Sequence, residues 1–199
     1  MVRFTLPEAH AILPSMMTPT LDDIDKTWLA KLSKAASQQA LRDRCTDAWK
    51  LCLEVCDDLP SPNIWFDLRG KTAGQAHFGR GGLRFNPVLY DENRYEFLTD
   101  IVPHEMAHWL VDHLKGSERM RPHGHEWKTV MRELFGLAPT VTHRFDTRRA
   151  SPAPYIYGCS CQQHAFSRQR HGLVLAGKRY YCRGCMLPLT YVGHSEAIF

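Results

Sequence analysis

The spacing of apolar residues changes along the chain, and the N-terminal third has the period of a helix. Residues 20–59 keep this period until "LPSPN" interrupts it, which predicts helix in two pieces. Thr20 and Asp23 have the spacing of a capping box at its start. Three cysteines belong to its apolar stripe, and no His or fourth Cys accompanies them, so we expect them in the core and not at a metal. The stripe consists of Leu41, Cys45, Trp49, Cys52, Cys56 and Leu59.

The next part of the chain reads as short strands. Ile64–Leu68, Gln75–Phe78 and Leu83–Asn86 are short alternating runs separated by Gly-rich turns, a pattern that predicts a small antiparallel meander. The expected fold class is therefore α+β, with helices packed on a small antiparallel sheet.

Two more helices are predicted after these strands. They cover Tyr95–Leu114 and Glu126–Phe135, and Gly116 and Gly136 follow them at the positions of C-terminal caps. Pro103 lies inside the first of the two and should kink it or mark a second start.

Composition places the chain among ordinary globular proteins. Its 199 residues are 44% hydrophobic and 23% charged, which suits one domain or one domain with a small appendage. The first residues lack the apolar run of a signal peptide, and nothing approaches the length of a membrane span. We therefore expect a cytoplasmic protein whose thiols are reduced.

Charge is distributed unevenly. Residues 1–141 carry a net charge of −2 and residues 142–199 carry +6, so the C-terminal piece is the part suited to a polyanion. The sequence "TRRASPAP", residues 147–154, has the character of a linker. We predict one domain over residues 1–146, with a helical part at 20–59, and a second unit over 155–199.

A His-Glu-x-x-His motif lies in the apolar helix, within "PHEMAHWLVDH", residues 103–113. His104 and His108 are four residues apart, share one helix face and can offer two imidazole nitrogens to a zinc ion. Glu105 projects beside that face, where it can take a proton from a metal-bound water. Buried ionisable groups without partners are costly, and a metal removes this difficulty. The alternative is a chance motif whose imidazoles are only hydrogen-bonded.

A catalytic zinc usually takes three protein ligands and leaves one position for water. The segment "PHGHEWKTVMREL" offers His123, His125, Glu126 and Glu133 as the third ligand. On a helical wheel His123 falls on the apolar side and His125 on the polar side. We expect His123 to be the third ligand, with Glu126 as the second choice.

Four cysteines near the C-terminus have the spacing of a structural zinc site. Cys159-x-Cys161 is followed, after twenty residues, by Cys182-x-x-Cys185. In a reducing compartment this spacing indicates a zinc ribbon that is folded by its metal. His164 has the usual spacing from Cys161 and is the alternative to one of the first two cysteines, but sulfur is the commoner ligand.

Basic and aromatic residues are interleaved between the two cysteine pairs, as in surfaces that contact phosphates and stack on bases. Ribbons are also commonly basic and commonly use aromatic residues as a small core, so DNA binding is one of two interpretations. The residues are Arg168, Arg170, His171, Lys178 and Arg179, with Phe166, Tyr180 and Tyr181.

Together the motifs "VPHEMAHWLVDH…PHGHEW" and "YGCSC…YYCRGC" resemble the SprT family of zincin metallopeptidases, over roughly residues 60–193. The resemblance implies a zincin-like domain followed by a zinc ribbon. It implies His104, His108 and His123 as zinc ligands and Glu105 as the catalytic acid/base. It also implies that "LRFNP" forms a strand that edges the cleft and can pair with substrate backbone.

The sequence therefore predicts a metalloprotease with one catalytic and one structural zinc, in which Glu105 assists the attack of a zinc-bound water on peptide bonds. Its partners would be protein substrates and DNA, because the eukaryotic relatives in this broader group degrade proteins crosslinked to DNA. The alternative is a nucleic-acid-binding protein with a non-catalytic zincin domain. The group that stabilises the oxyanion stays open among His77, His143 and several tyrosines.

Overall fold

The computed structural model describes residues 25–116, 121–151 and 153–194, and this part of the chain begins with two helices. Helix α1 covers Lys26–Lys31 and α2 covers Lys34–Leu53. The side chains of Asp25 and Ser33 accept hydrogen bonds from backbone N–H groups in the first turns, which is why the helices begin there. The predicted two-piece helix is thus present, while the capping box of Thr20 and Asp23 lies outside the described residues.

The apolar stripe of α2 and the turn after it is buried, as predicted. Trp49 is the exception, since it is only half-buried, and its indole N–H donates a hydrogen bond to the backbone carbonyl of Leu59, 3.0 Å away. The buried members are Leu41, Cys45, Cys52, Cys56 and Leu59.

The first sheet contains three short strands in the order β1-β3-β2. These are β1 (Asn63–Trp65), β2 (Gly74–His77) and β3 (Gly82–Phe85). β2 and β3 are antiparallel, as predicted, but β1 runs parallel to β3, so the predicted meander is wrong in its strand order. Gly82 permits this pairing, because a Cβ there would lie 2.1 Å from the carbonyl oxygen of Asn63.

The helix that carries the His-Glu-x-x-His motif forms in stages after α3 (Pro87–Glu92). It begins as α4 (Arg94–Glu96), widens into a π-helical turn over Phe97–Ile101 and continues as α5 (Val102–Leu114). The wide turn ends two residues before Pro103, which lacks an N–H and would clash with a carbonyl of a regular preceding turn. Pro103 therefore marks a second start, one of the two outcomes expected from the sequence.

The helix after α5 is short. α6 covers His125–Thr129 and continues as a π-helical turn over Val130–Leu134. Gly136 follows with a φ of 64°, the left-handed conformation expected of a C-terminal cap. Four apolar residues were predicted to face inward. Trp127, Val130 and Met131 are buried as predicted, and Leu134 is half-buried.

Backbone contacts divide the described residues into two units, one formed by 25–68 and 72–145 and the other by 69–71 and 146–194. The second unit contains an antiparallel sheet in the order β5-β4-β6. Its elements are β4 (Tyr155–Gly158), β5 (Gln163–Phe166), α7 (Arg168–Leu175) and β6 (Thr190–His194). The predicted limits of 1–146, 147–154 and 155–199 stay a prediction.

Mixed helices and small sheets confirm the α+β class. Within the described ranges, no helix has the length and the apolar character needed to cross a membrane.

Candidate metal centre

Three imidazole rings converge in the first unit. α5 carries His104 and His108 one helical turn apart, and His123 lies in the turn directly before α6. The three Nε2 atoms form a triangle with sides of 3.1, 3.2 and 3.3 Å. Neighbouring rings are inclined to each other by 62–65°, so the three rings are arranged like the blades of a propeller.

This triangle fits a metal ion better than a hydrogen-bond network. Ligands of a tetrahedral zinc at 2.0–2.1 Å lie ~3.3 Å apart, close to the separations of the three Nε2 atoms. Hydrogen bonds along all three sides would be strongly bent, because each N–H would have to point along a triangle edge. The geometry therefore indicates that the lone pairs of the three Nε2 atoms are directed at one point, where a metal ion could bind.

Burial keeps these rings neutral, which is the form that binds metal. It lowers the pKa of His104 to about 4 and the pKa of His108 to about 3, and the neighbouring imidazoles add to the effect. Burial also lowers the pKa of His123. His104 has a further hydrogen bond to the backbone of Thr140, the kind of contact that fixes the orientation of a ligating ring.

Glu105 lies where α5 meets the outer strand β2. It is 7% exposed, and its Oε2 accepts a hydrogen bond of 2.8 Å from the backbone N–H of Ala76. Burial raises the pKa of Glu105 to about 8, although the hydrogen bond from Ala76 acts in the opposite direction. The carboxyl group is thus fixed in place and has a pKa near neutral pH, as a general base requires.

The strand leaves room for this carboxylate only because residue 74 is glycine. A Cβ at Gly74 would lie 2.7 Å from both Cγ and Oε1 of Glu105 and 2.9 Å from Cγ2 of Ile101. Gly74 and Ala76 were not among the site residues predicted from the sequence. A glycine inside a strand pattern is a signal of close approach, and it could have identified the first of them.

Trp127 packs against all three imidazoles. Its ring centroid is 4.7 Å from His104, 5.5 Å from His108 and 4.7 Å from His123. Its indole N–H lies 3.3 Å from the backbone carbonyl of His104, to which it donates. Since Trp127 is fully buried, it forms an apolar wall that restricts the positions of the rings.

The other candidates for this site have different positions. His125 is exposed, Glu126 is half-buried and Glu133 is exposed. Among the described residues, the group whose ligand atoms converge at this site consists of His104, His108 and His123. His125, Glu126 and Glu133 do not belong to it. His143 stacks on Phe145, and it is close enough to His104 to lower that pKa slightly.

The strand expected to border the cleft occupies a different position in the sheet. β3, which contains the predicted Leu83–Phe85 part, lies between β1 and β2, so its backbone groups are used on both sides. β2 is the outer strand on the side of Glu105, and the backbone N–H of Ala76 is already bonded to that carboxylate. The prediction that "LRFNP" pairs with substrate backbone is therefore wrong.

The second unit brings the four predicted cysteines together. The sulfurs of Cys159, Cys161, Cys182 and Cys185 all lie within 4.8 Å of one another. Cys161 is 3.4 Å from Cys159 and 3.5 Å from Cys182, near the ~3.8 Å that a tetrahedral zinc–sulfur site requires. His164 lies 3.9 Å from Cys159 and outside the four-sulfur group.

Backbone N–H groups prepare the second cysteine pair for a metal. They donate to the sulfur of Cys182 from Cys185 and Gly184 and lower the pKa of that thiol to about 5. The backbone of Leu187 lowers the pKa of Cys185 in the same way. Hydrogen bonds with the other three cysteines, Cys159 first, raise the pKa of Cys161 to about 12. Both the three-imidazole group and this four-sulfur group are compatible with zinc.

The basic and aromatic residues of the second unit separate into two sets. Phe166 is buried, and the guanidinium of Arg170 lies 4.2 Å from its ring and 4.9 Å from the ring of Tyr180. His171 accepts or donates a hydrogen bond with Tyr157 and stacks on Tyr155 at 3.8 Å. The aromatic rings and His171 form the small core. Arg168, Arg170, Lys178, Arg179 and Tyr181 are exposed.

Three imidazoles grouped near a buried carboxylate in an α+β unit are typical of metal-binding proteins. Residues 26–143 match the SprT-like family. The chain is 47% identical over 137 residues to Protein SprT of Pseudomonas paraeruginosa, across 67% of this chain and 82% of the relative. Protein SprT of Pseudomonas syringae pv. syringae is 44% identical over 137 residues, across 68% and 83%. The chain belongs to the SprT-like family. No solved structure matches it.

Proposed function

We propose that this chain is a zinc-dependent metallopeptidase of the zincin type. His104, His108 and His123 would hold the metal, and Glu105 would act as the general acid/base. The observation that carries the proposal is the convergence of three neutral imidazole nitrogens, 3.1–3.3 Å apart, two of which belong to a helix that also carries a buried carboxylate. A purely structural metal site has no use for that carboxylate.

Each side chain has a defined part in this reaction. When bound, zinc supplies Lewis acidity and makes a water molecule acidic enough to lose a proton near neutral pH. The carboxylate of Glu105 would take that proton and later return it to the leaving amine nitrogen, because a bound dication lowers the pKa that burial raises in the metal-free chain. The N–H of Ala76 holds Oε2 of Glu105 and leaves Oε1 as the oxygen that exchanges the proton.

The substitution Glu105→Gln tests the mechanism. It keeps the size of the side chain and leaves the imidazoles untouched, so zinc content should be unchanged while peptide hydrolysis falls by at least 1,000-fold, on the order expected for loss of an acid/base. Glu126→Gln is the matched control and should retain activity. Hydrolysis by Glu105→Gln at the wild-type rate would reject the role of Glu105.

Metal analysis tests the ligand set. The purified wild-type chain should contain two zinc ions, and His123→Ala should contain one, held by the four cysteines. The control His125→Ala changes an exposed imidazole two residues away and should keep both ions. Two ions in His123→Ala would show that His123 is not a ligand.

We further propose that the second unit binds nucleic acid, so that the substrates are proteins associated with or crosslinked to DNA. Residues 142–199 carry a net charge of +6. A groove in this unit is lined by His164, Arg170, Tyr181 and Arg183 among others. Tyr181 is 53% exposed, so its ring is available to stack on a base, and the guanidinium groups can contact phosphates.

Affinity for single-stranded DNA, measured as a function of salt, tests this second proposal. Arg183→Ala should weaken binding and reduce the slope of log K against log salt by ~0.7, the value for one lost phosphate contact. Tyr181→Ala should weaken binding with an unchanged slope. Arg148→Ala removes an exposed arginine that pairs with Asp146 and should have a smaller effect than Arg183→Ala. Equal effects of the two arginine substitutions would argue against the groove.

These experiments also separate the alternative function, a nucleic-acid-binding protein whose metal is only structural. That alternative predicts normal DNA affinity and two zinc ions in a wild-type chain that hydrolyses no peptide bond.

A further inference from the structure

A third group of potential metal ligands lies at the opposite end of α5 from Pro103. Cys56, Asp58 and His113 each offer one ligand atom, and these three atoms lie within 4.8 Å of one another. Sγ of Cys56 is 3.0 Å from Oδ1 of Asp58, and Nε2 of His113 is 3.3 Å from the same oxygen. His113 follows His108 by five residues on the helix, a rise of ~7.5 Å, so this group is separate from the three-imidazole site.

The donor set has the composition of a zinc site. Thiolate, imidazole and carboxylate are the three ligand types that zinc uses in proteins, and a tetrahedral ion spaces nitrogen and oxygen ligands ~3.3 Å apart and sulfur and oxygen ligands ~3.5 Å apart. The His113–Asp58 distance already has this value. The Cys56–Asp58 distance is shorter by ~0.5 Å on that scale, and the Asp58 side chain, which is 78% exposed, is free to make that adjustment.

The three residues come from two segments that the fold brings together. Cys56 and Asp58 follow the end of α2, and His113 belongs to the last turn of α5. Cys56 is 8% exposed, while Asp58 and His113 are exposed. The sulfur is thus on the protein side of the group, and the imidazole and the carboxylate are on the solvent side. A fourth coordination position would be accessible to water.

We propose that Cys56, Asp58 and His113 form a third divalent-metal site, of the zinc type, that joins the turn after α2 to the C-terminal end of α5. Binding of the ion breaks the S–H bond of Cys56, forms a metal–sulfur bond and releases one proton to solvent. Two of its three protein ligands are exposed side chains, whereas the three imidazoles are half-buried and the remaining site has four cysteines. The third site would therefore bind its ion more weakly than either of the other two and would release it during purification. Its ion would stabilise the end of the helix that carries His104 and His108.

Reactivity of the thiol is the competing use of Cys56, and the surroundings disfavour it. Burial and the neighbouring carboxylate raise the pKa of Cys56 to about 11. A thiol of this kind is mostly protonated at neutral pH and is a poor nucleophile. A metal ion would displace that proton, whereas an oxidant would react with the thiol slowly.

Cobalt(II) provides a direct probe. The full chain is first loaded with two equivalents of zinc, which fill the two stronger sites and are not displaced by cobalt, because zinc binds N/O/S sites more tightly. Added Co²⁺ should then bind with a stoichiometry of one and produce a thiolate-to-cobalt charge-transfer absorption. Cys56→Ala should abolish this absorption, and Cys52→Ala, which changes a buried cysteine inside α2, should retain it.

Cys56 is buried, so Cys56→Ala could disturb the fold. Substitutions at the two exposed ligands therefore provide a second test. Asp58→Asn and His113→Gln should each weaken cobalt binding at least tenfold, whereas Asp57→Asn and His125→Gln should leave it unchanged. Absence of the absorption in the wild type, its persistence in Cys56→Ala, or unaltered affinity in both Asp58→Asn and His113→Gln would overturn the proposal. None of these variants changes the three imidazoles or Glu105, so the result is independent of the peptidase proposal.

Discussion

The substitution Gly74→Ala should abolish the proposed peptidase activity although it changes neither a proposed metal ligand nor Glu105. The added Cβ would lie 2.7 Å from Cγ and Oε1 of Glu105 and 2.9 Å from Cγ2 of Ile101, whereas carbon atoms in contact are normally ~3.5–4.0 Å apart. Relief therefore requires a movement of ~0.8 Å or more. Since Gly74 does not have a positive φ, its backbone accepts alanine, and the movement falls on Glu105 and Ile101.

The cost to catalysis should exceed the cost to stability. A displacement of ~1 Å at a catalytic group can lower the rate ~100-fold, and overpacking of this size costs ~1–3 kcal/mol of folding free energy. The assay measures kcat on an unfolded protein substrate, together with zinc content, which should stay at the wild-type value. Gly79→Ala is the control, because the nearest atom to its Cβ would be 3.8 Å away. Wild-type activity in Gly74→Ala would refute the inferred fit of strand against carboxylate.

Three further predictions concern pH and metal. Glu105→Gln should stabilise the metal-free chain, because between pH ~4.5 and the folded pKa of about 8 the folded wild type holds a proton that the unfolded chain has lost. The stability of the wild type therefore falls by up to ~1.4 kcal/mol per pH unit in this range. Urea unfolding of both proteins at pH 6 and pH 8 measures the difference, which should grow with pH. Zinc at the imidazole site should survive dialysis at pH ~5, since the ligands' folded pKa values lie below their usual ~6.5, and a loss that follows a pKa near ~6.5 would contradict this. A chelator should unfold residues 153–194 before it unfolds the first unit. Their core contains only the buried rings of Tyr157 and Phe166 and a three-stranded sheet, so their folding should depend on the metal. Hydrogen exchange with and without chelator measures the order of unfolding.

The sequence predicted the metal groups better than it predicted the sheet. His104 and His108 share a helix face by spacing alone, and the apolar pattern of the next helix selected His123 over His125. Both inferences need only a helical period, a local property of the chain. The four cysteines were grouped by spacing in the same way, and the structure brings their sulfurs within 4.8 Å.

Features that depend on non-local pairing were missed. Alternation of apolar and polar residues identified strands but carried no information about partners, so the parallel pairing of β1 with β3 was not foreseen. The contact of Ala76 with Glu105 uses a backbone N–H, which every residue except proline possesses and no pattern marks. Cys56 was assigned to the core because no His is near it in sequence, yet His113 approaches from α5.

The pKa shifts in the first unit suggest how metal binding and proton transfer are coupled. Without metal, burial favours neutral imidazoles and a protonated Glu105, whose pKa is raised to about 8. The pocket then carries little charge, and folding does not have to bury an unpaired ion. A nearby dication lowers the pKa of a carboxyl group, so Glu105 would lose its proton if the three imidazoles bound a zinc ion. Burial makes Glu105 a weak acid in the metal-free chain, so under the proposed function its action as a base would depend on the presence of the metal.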